Sequence, residues 1–241
     1  MSRPKFYVGW DVGAWNCDRG GSRDALVVLD DKGELVGRSW RGNLREAINT
    51  SVSAKGFVAT LFELCGTEFP DESEAILAVD TPLGFSTAFH DLIAKSQPTG
   101  QLIGPHAENP YLFRATEREL YKRGVKPLSA VKDMIGSQAT KGIHLVHKLF
   151  EPFELGVFRS GPIIAIEAYP APSKKSAVIK SRLKSTEFPS GDEADAFVCA
   201  LVAKVFRLER HLLFKPDRSI DIREGWIWLP ADALSESRLA N

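Results

Sequence analysis

Three continuously apolar runs in this chain each end on a carboxylate, and that pattern limits the possible folds more than any other feature. Phe6-Tyr7-Val8-Gly9-Trp10 is closed by Asp11, Ala75-Ile76-Leu77-Ala78-Val79 by Asp80, and Ile163-Ile164-Ala165-Ile166 by Glu167. Apolar runs without alternation belong to strands covered on both faces, in a sheet between two layers. A carboxylate at the end of such a strand is costly unless it is paired or bound to a cation. Several strands ending this way gather their acids on one sheet edge, where open α/β sheets bind ligands. Asp192 and Asp195 open a helical stretch at 191–201 and add two more acids. Oxygen donors of this kind suit the hard ions Mg²⁺ or Mn²⁺.

The remaining pattern supplies the rest of the layers. Residues 5–11, 24–30 and 34–41 read as a three-strand meander, with Asp31-Lys32-Gly33 as a tight hairpin turn. A glycine-rich polar loop at 12–23 follows Asp11 directly. Phe57, Val58, Leu61, Phe62 and Cys65 form a helical stripe within 44–65, stopped by Gly66. Strands are expected at 75–80 and 161–167, and helices at 111–123, 131–150 and 192–211. The segment 96–110, rich in Gly, Pro, Gln and His, reads as a mobile loop, and 231–241 as a flexible tail. Residues 225–230 alternate like a small added strand or pack as an aromatic plug. With no repeat and no linker, 1–241 reads as a single domain.

Each candidate has a structural alternative. Asp11 is either a metal ligand or a turn-forming residue bonded to the glycine loop, and Asp80 either a ligand or an Asx turn before Pro82. Asp192 and Asp195, three apart on one helix face, either reach a cation or complement the helix N-terminus. Glu167 is a ligand, a substrate contact or a supporting group. The stretch 171–184 has five basic residues and no acid, so Lys174 and Lys175 are candidate phosphate contacts or simply a solvated surface. Arg114 and Arg118, four apart, form with Lys122 a basic stripe, either a substrate phosphate contact or a salt-bridged face that Glu117 and Glu119 neutralise. His144 and His147 lack an acidic partner nearby and read as an amphipathic helix surface.

The order β-β-β-α-β-α-β-α, with acids after the first and fourth strands and in the last helix, resembles the RNase H-like fold. Val8-Gly9-Trp10-Asp11-Val12-Gly13, Ala78-Val79-Asp80-Thr81-Pro82-Leu83-Gly84, Phe113-Arg114-Ala115-Thr116-Glu117-Arg118-Glu119-Leu120, Glu167-Ala168-Tyr169-Pro170, Asp192-Glu193-Ala194-Asp195-Ala196 and Gly225-Trp226-Ile227 narrow it. In that order they resemble domain-of-unknown-function family 429, described as predicted nucleases. The resemblance implies an α/β protein with a mixed five-stranded sheet, an antiparallel meander at its start and helices on both faces. It implies a metal-dependent nuclease or phosphodiesterase, with Asp11, Asp80, Asp192 and Asp195 as metal ligands and Glu167 beside them. Two metals at such a site could activate water and stabilise the leaving oxygen. One alternative is a phosphotransferase, since actin-like kinases share an Asp-x-Gly strand end and Gly20-Gly21-Ser22 could cradle phosphate. The other is a non-catalytic binding module.

Composition removes some classes. Lys+Arg and Asp+Glu both total 31, so a broad basic surface for non-specific nucleic-acid binding is not expected, although a local patch is. The 44% hydrophobic and 26% charged content argues against global disorder. Three scattered cysteines have neither zinc spacing nor the even count of a disulfide framework. Without an apolar signal region or a membrane-length apolar stretch, a cytoplasmic location is expected.

Overall fold

The chain forms three strands before its first helix. β1 (Lys5–Asp11) runs antiparallel to β2 (Asp24–Leu29), which runs antiparallel to the short β3 (Trp40–Gly42). Gly33 makes the expected turn after β2, at a φ of +86° that favours glycine. Helices α1 (Arg45–Thr50) and α2 (Ala54–Leu64) lead to β4 (Glu74–Asp80), which lies parallel to β1. Next come α3 (Thr87–Lys95), α4 (Ala115–Lys122) and α5 (Gly136–Leu149). A hairpin of β5 (Glu151–Glu154) and β6 (Val157–Ser160) precedes β7 (Ile163–Ala168). Two short helices, α6 (Pro170–Ser173) and α7 (Ala177–Lys180), the long α8 (Gly191–Leu208) and β8 (Ile227–Trp228) complete the chain. This computed structural model describes residues 3–18, 23–183, 187–217 and 219–235. The Gly20-Gly21-Ser22 turn, Lys184 and tail residues 236–241 lie outside the described residues.

The strands form one mixed open sheet in the order β3-β2-β1-β4-β7-β6-β5, with β8 added against β7. β1 is internal, between antiparallel β2 and parallel β4, and β7 follows β4 outward in parallel, as the strand pattern predicts. Among the described residues the sheet has eight strands rather than five. The β5–β6 hairpin widens the far edge, where Glu151 and Phe153 are exposed and no apolar alternation marks a strand. β8 takes over pairing with β7 where β6 stops, through Glu167 and Ala168. The third strand of the meander is shorter than expected, with only an isolated Leu29–Leu35 bridge before Trp40. Segment 96–110 is irregular apart from one 3₁₀ turn at His106–Glu108. Among the described residues, no helix is long and apolar enough to cross a membrane.

Strand parity sorts the core into two layers. Val8, Trp10, Leu77 and Val79 face one way, against Phe57 and Leu61 of α2 and Leu145 and Val146 of α5. Tyr7, Val27, Ile76 and Ala78 face the other way, against α8. Asp11 and Asp80 share the second parity and emerge on the α8 side. Glu167 has the parity of Ile163 and Ala165 and emerges on the opposite side.

Gly9 fixes how closely α8 approaches. A Cβ there would lie 1.8 Å from the Ala196 carbonyl oxygen, so the helix backbone rests directly on β1. This contact brings the first turn of α8, with Asp192 and Asp195, beside the end of β1. Gly9→Ala must displace a whole helix rather than one side chain, and should cost about 3 kcal/mol, at the upper end for overpacking. Urea unfolding tests this; a variant as stable as the parent would mean that α8 can slide without loss.

Candidate functional site

Asp11 and Asp80 are direct Cα partners in the β1–β4 ladder, which sets their carboxyl groups side by side. Burial, followed by the nearby Asp192 and Asp195 carboxylates, pushes Asp11 from an ordinary 3.8 up to about 7. Burial, then Asp11 and Asp195, raise Asp80 well above the usual carboxylate range. In the absence of a cation both carboxyl groups therefore favour their protonated forms.

The acids of α8 are placed near this pair but turned towards cations. Ser190 caps the helix: its hydroxyl accepts from the Glu193 amide at 3.3 Å and donates to the Glu193 carboxylate at 2.8 Å. Asp192 is thereby relieved of capping, and its Oδ2 accepts from Arg41 Nε and Nη2 at 2.9 and 2.7 Å. Asp195 forms an ion pair with Lys174, at the end of α6. Lys174 thus lies within the site, with exposed Lys175 next to it. Among the described residues, no three carboxylate, imidazole or thiol groups form a ready-made ligand set. Asp11 and Asp80 thus lie side by side, whereas Asp192 and Asp195 are each paired with a cation.

Glu167 belongs to a separate buried network. Arg114, 2% exposed, donates to both Glu167 oxygens at 2.7 and 2.8 Å, to Glu117 at 2.9 Å and to the Glu224 carbonyl at 3.1 Å. The Leu83 amide adds a bond to Glu167 Oε2 at 2.9 Å. The Glu224 carboxylate accepts from the amides of Thr87 and Ala115, at 3.1 and 2.6 Å, and so holds the N-termini of α3 and α4 together. The expected basic stripe is therefore divided. Arg114 is a buried tie, Lys122 pairs with Glu119, and Arg118 lines a separate groove beside Phe214 and Lys215. His144 and His147 lie on the exposed side of α5, edge-on to Trp15 and Phe158.

A second buried ion pair was not signalled by the sequence pattern. Asp24 and Lys141, both fully buried, pair beneath the loop that follows Asp11. Asp24 also accepts from Trp10 Nε1 at 3.0 Å and from the amides of Gly13 and Leu44 at 2.8 and 2.7 Å. Lys141 Nζ reaches the Gly13 and Ala14 carbonyls at 3.4 and 3.3 Å. These bonds fix the backbone just after the candidate ligand Asp11. Cys17 is buried against Asp24.

Asp11 and Asp80 open onto a cleft of about 230 Å³ that Thr81, Gln138, Glu167 and Tyr169 also line. Burial and then the Asp80 charge raise the Tyr169 phenol above its usual range, which marks its nearness to the pair. No family model, curated protein or solved structure matches the chain.

Proposed function

We propose that this chain is a divalent-metal-dependent phosphodiester hydrolase of the nuclease type, using Mg²⁺ or Mn²⁺ on an RNase H-like sheet. The observation that carries the proposal is the Asp11–Asp80 pair. The central ladder holds the two carboxyl groups side by side, where burial and the neighbouring carboxylates disfavour their charge unless a cation balances it. Among the described residues, neither is ion-paired with a lysine or arginine. Their oxygen donors fit a hard cation, and Asp195 and Asp192 complete the set by turning from Lys174 and Arg41. The antiparallel β3-β2-β1 unit followed by parallel β4 and β7, with acids on β1, β4 and the last long helix, supports the RNase H-like assignment.

Bound there, a divalent ion supplies charge to polarise the phosphate and to acidify the attacking water. Asp11 and Asp80 hold the reacting end of the site rigid, because both sit on internal strands. Asp80 must give up its proton before both carboxylates can act as ligands. Lys174, exchanging Asp195 for a phosphate oxygen, and Lys175 provide substrate charge. Glu167 is a positioning residue, because Arg114 and Leu83 occupy its carboxylate. The phosphotransferase alternative has less support, since the Gly13 amide, the first donor of an Asp-x-Gly phosphate loop, donates to Asp24.

Mn²⁺ binding should release protons and weaken progressively as pH falls from 8 to 5, because the ion competes with protons for the Asp11 and Asp80 carboxyl groups. Hydrolysis of bis(p-nitrophenyl) phosphate and of nucleic acid should require Mg²⁺ or Mn²⁺ and stop with EDTA. Calorimetry between pH 5 and 8 tests the first point; an affinity independent of pH, or unchanged in Asp80→Asn, would remove the proposed centre.

A further inference from the structure

The cleft beside the carboxylate pair has features that metal chemistry alone does not explain. One part of its wall is apolar, formed by Pro82, Leu128, Ile135 and the Tyr169 ring, beside the polar groups of Asp11, Asp80 and Glu167. The wall also holds two buried polar atoms without hydrogen-bond partners, Thr81 Oγ1 and Gln138 Oε1. Thr81 is 5% exposed and its methyl group is close to Gly142 of α5, which leaves the hydroxyl on another side. A buried polar group left unpaired costs about 1–3 kcal/mol, which a ligand with a matching donor would recover.

We infer that this cleft seats a single nucleobase, so that the substrate is engaged through an unpaired or terminal nucleotide. The inference rests on the phosphodiesterase proposal above and deepens it. Apolar surface and an aromatic ring beside two unpartnered polar atoms suit a flat heteroaromatic ring with a polar edge. The cleft volume, about 230 Å³, admits one ring system and part of its ribose. It lies below the roughly 300–1,000 Å³ of pockets for drug-sized ligands. A paired base must therefore leave its stack to enter. Gln138 Oε1 accepts from an exocyclic amine or ring N–H of that base. Because Asp11 and Asp80 line the same cleft, the phosphate attached to a seated nucleoside lies against the pair.

Calorimetric titration in Mg²⁺ with the four common nucleoside 5′-monophosphates, against ribose 5-phosphate, tests the base seat directly. The mononucleotides should bind at least tenfold more tightly than ribose 5-phosphate, and Gln138→Leu should erase most of that difference. Leu128→Asp, at a side chain 54% exposed, should weaken mononucleotide binding similarly without disturbing the core. Equal affinity for mononucleotides and ribose 5-phosphate, or unchanged mononucleotide affinity in both variants, overturns the inference. Hydrolysis of bis(p-nitrophenyl) phosphate, which carries no base, separates the two claims. Hydrolysis without base-selective binding removes the seat and leaves the hydrolase. Base-selective binding without any hydrolysis keeps the seat and removes the hydrolase.

Discussion

Asp11→Asn should lower phosphodiester hydrolysis by at least three orders of magnitude and, in the absence of metal, raise the melting temperature at pH 8. The loss follows from removing a ligand at the internal strand end, where nucleophile activation and leaving-group stabilisation are expected to depend on the same group. The gain follows from the electrostatics. Asp11 titrates at about 7 in the folded chain against an ordinary 3.8, so its carboxylate is destabilised by folding. A raised carboxyl contributes stability below its unfolded value and loses it as pH rises through the folded one. Metal-free wild-type stability should therefore decline between about pH 4 and 7 and level off above. The full difference sets a ceiling of about 4 kcal/mol, and partial exposure and coupling to the neighbouring carboxyl groups reduce it to about 2 kcal/mol. For a chain of this length that is roughly 4–8 °C. Thermal melts of both proteins from pH 4 to 8 measure it. A variant that retains activity would make Asp11 structural; one that loses activity and stability together would place the fault in folding.

Arg114→Met should be the most destabilising single change on the cleft side of the sheet. It leaves the Glu117 and Glu167 carboxylates facing each other in the interior without their shared cation. Breaking a buried pair costs about 3–5 kcal/mol, and with two acids stranded the upper figure applies. A loss of about 5 kcal/mol is roughly 10–20 °C in melting temperature. The deficit should be largest near pH 8 and shrink towards pH 4, because the stranded carboxyl groups then protonate and lose their charge. Arg114→Lys should recover little, since a point charge cannot span two carboxylates and the Glu224 carbonyl as a planar guanidinium does. If Arg114 were instead a phosphate contact, as its place in a basic stripe suggests, the variant would keep its melting temperature and raise KM.

The contrast between Asp80 and Arg114 shows what the sequence can express. Asp11 and Asp80 were legible because strand periodicity and an apolar run fix both the end of each strand and its place at the sheet centre. Two parallel strands of seven residues then put their last residues side by side. Arg114 was misread because its partners Glu167 and Glu224 are 53 and 110 residues away, beyond any helical or strand period. Lys141 was missed for the same reason: Asp24 is 117 residues distant, and a lysine on an amphipathic helix ordinarily faces water. The β5–β6 hairpin escaped notice because an edge strand can expose Glu151, Pro152 and Phe153 and so loses the alternation that marks buried strands. The first turn of α8 was identified, but not which acid meets which cation. That choice depends on Arg41 and Lys174, which belong to other elements.

The double hold of Glu224 on α3 and α4 also sets an order for vectorial synthesis. Its carboxylate bonds residues 137 and 109 positions earlier, and its carbonyl completes the shell of Arg114. Every strand but β8 and the helices of both layers are present once α8 has left the ribosome, whereas the amides of Thr87 and Ala115 still wait for Glu224 and Arg114 lacks one of its acceptors. A nascent chain thus acquires its paired carboxylates on β1 and β4 well before it acquires the wall that shapes access to them. A fragment ending before Ile222 would be a sheet with its acids in register and its cleft unfinished.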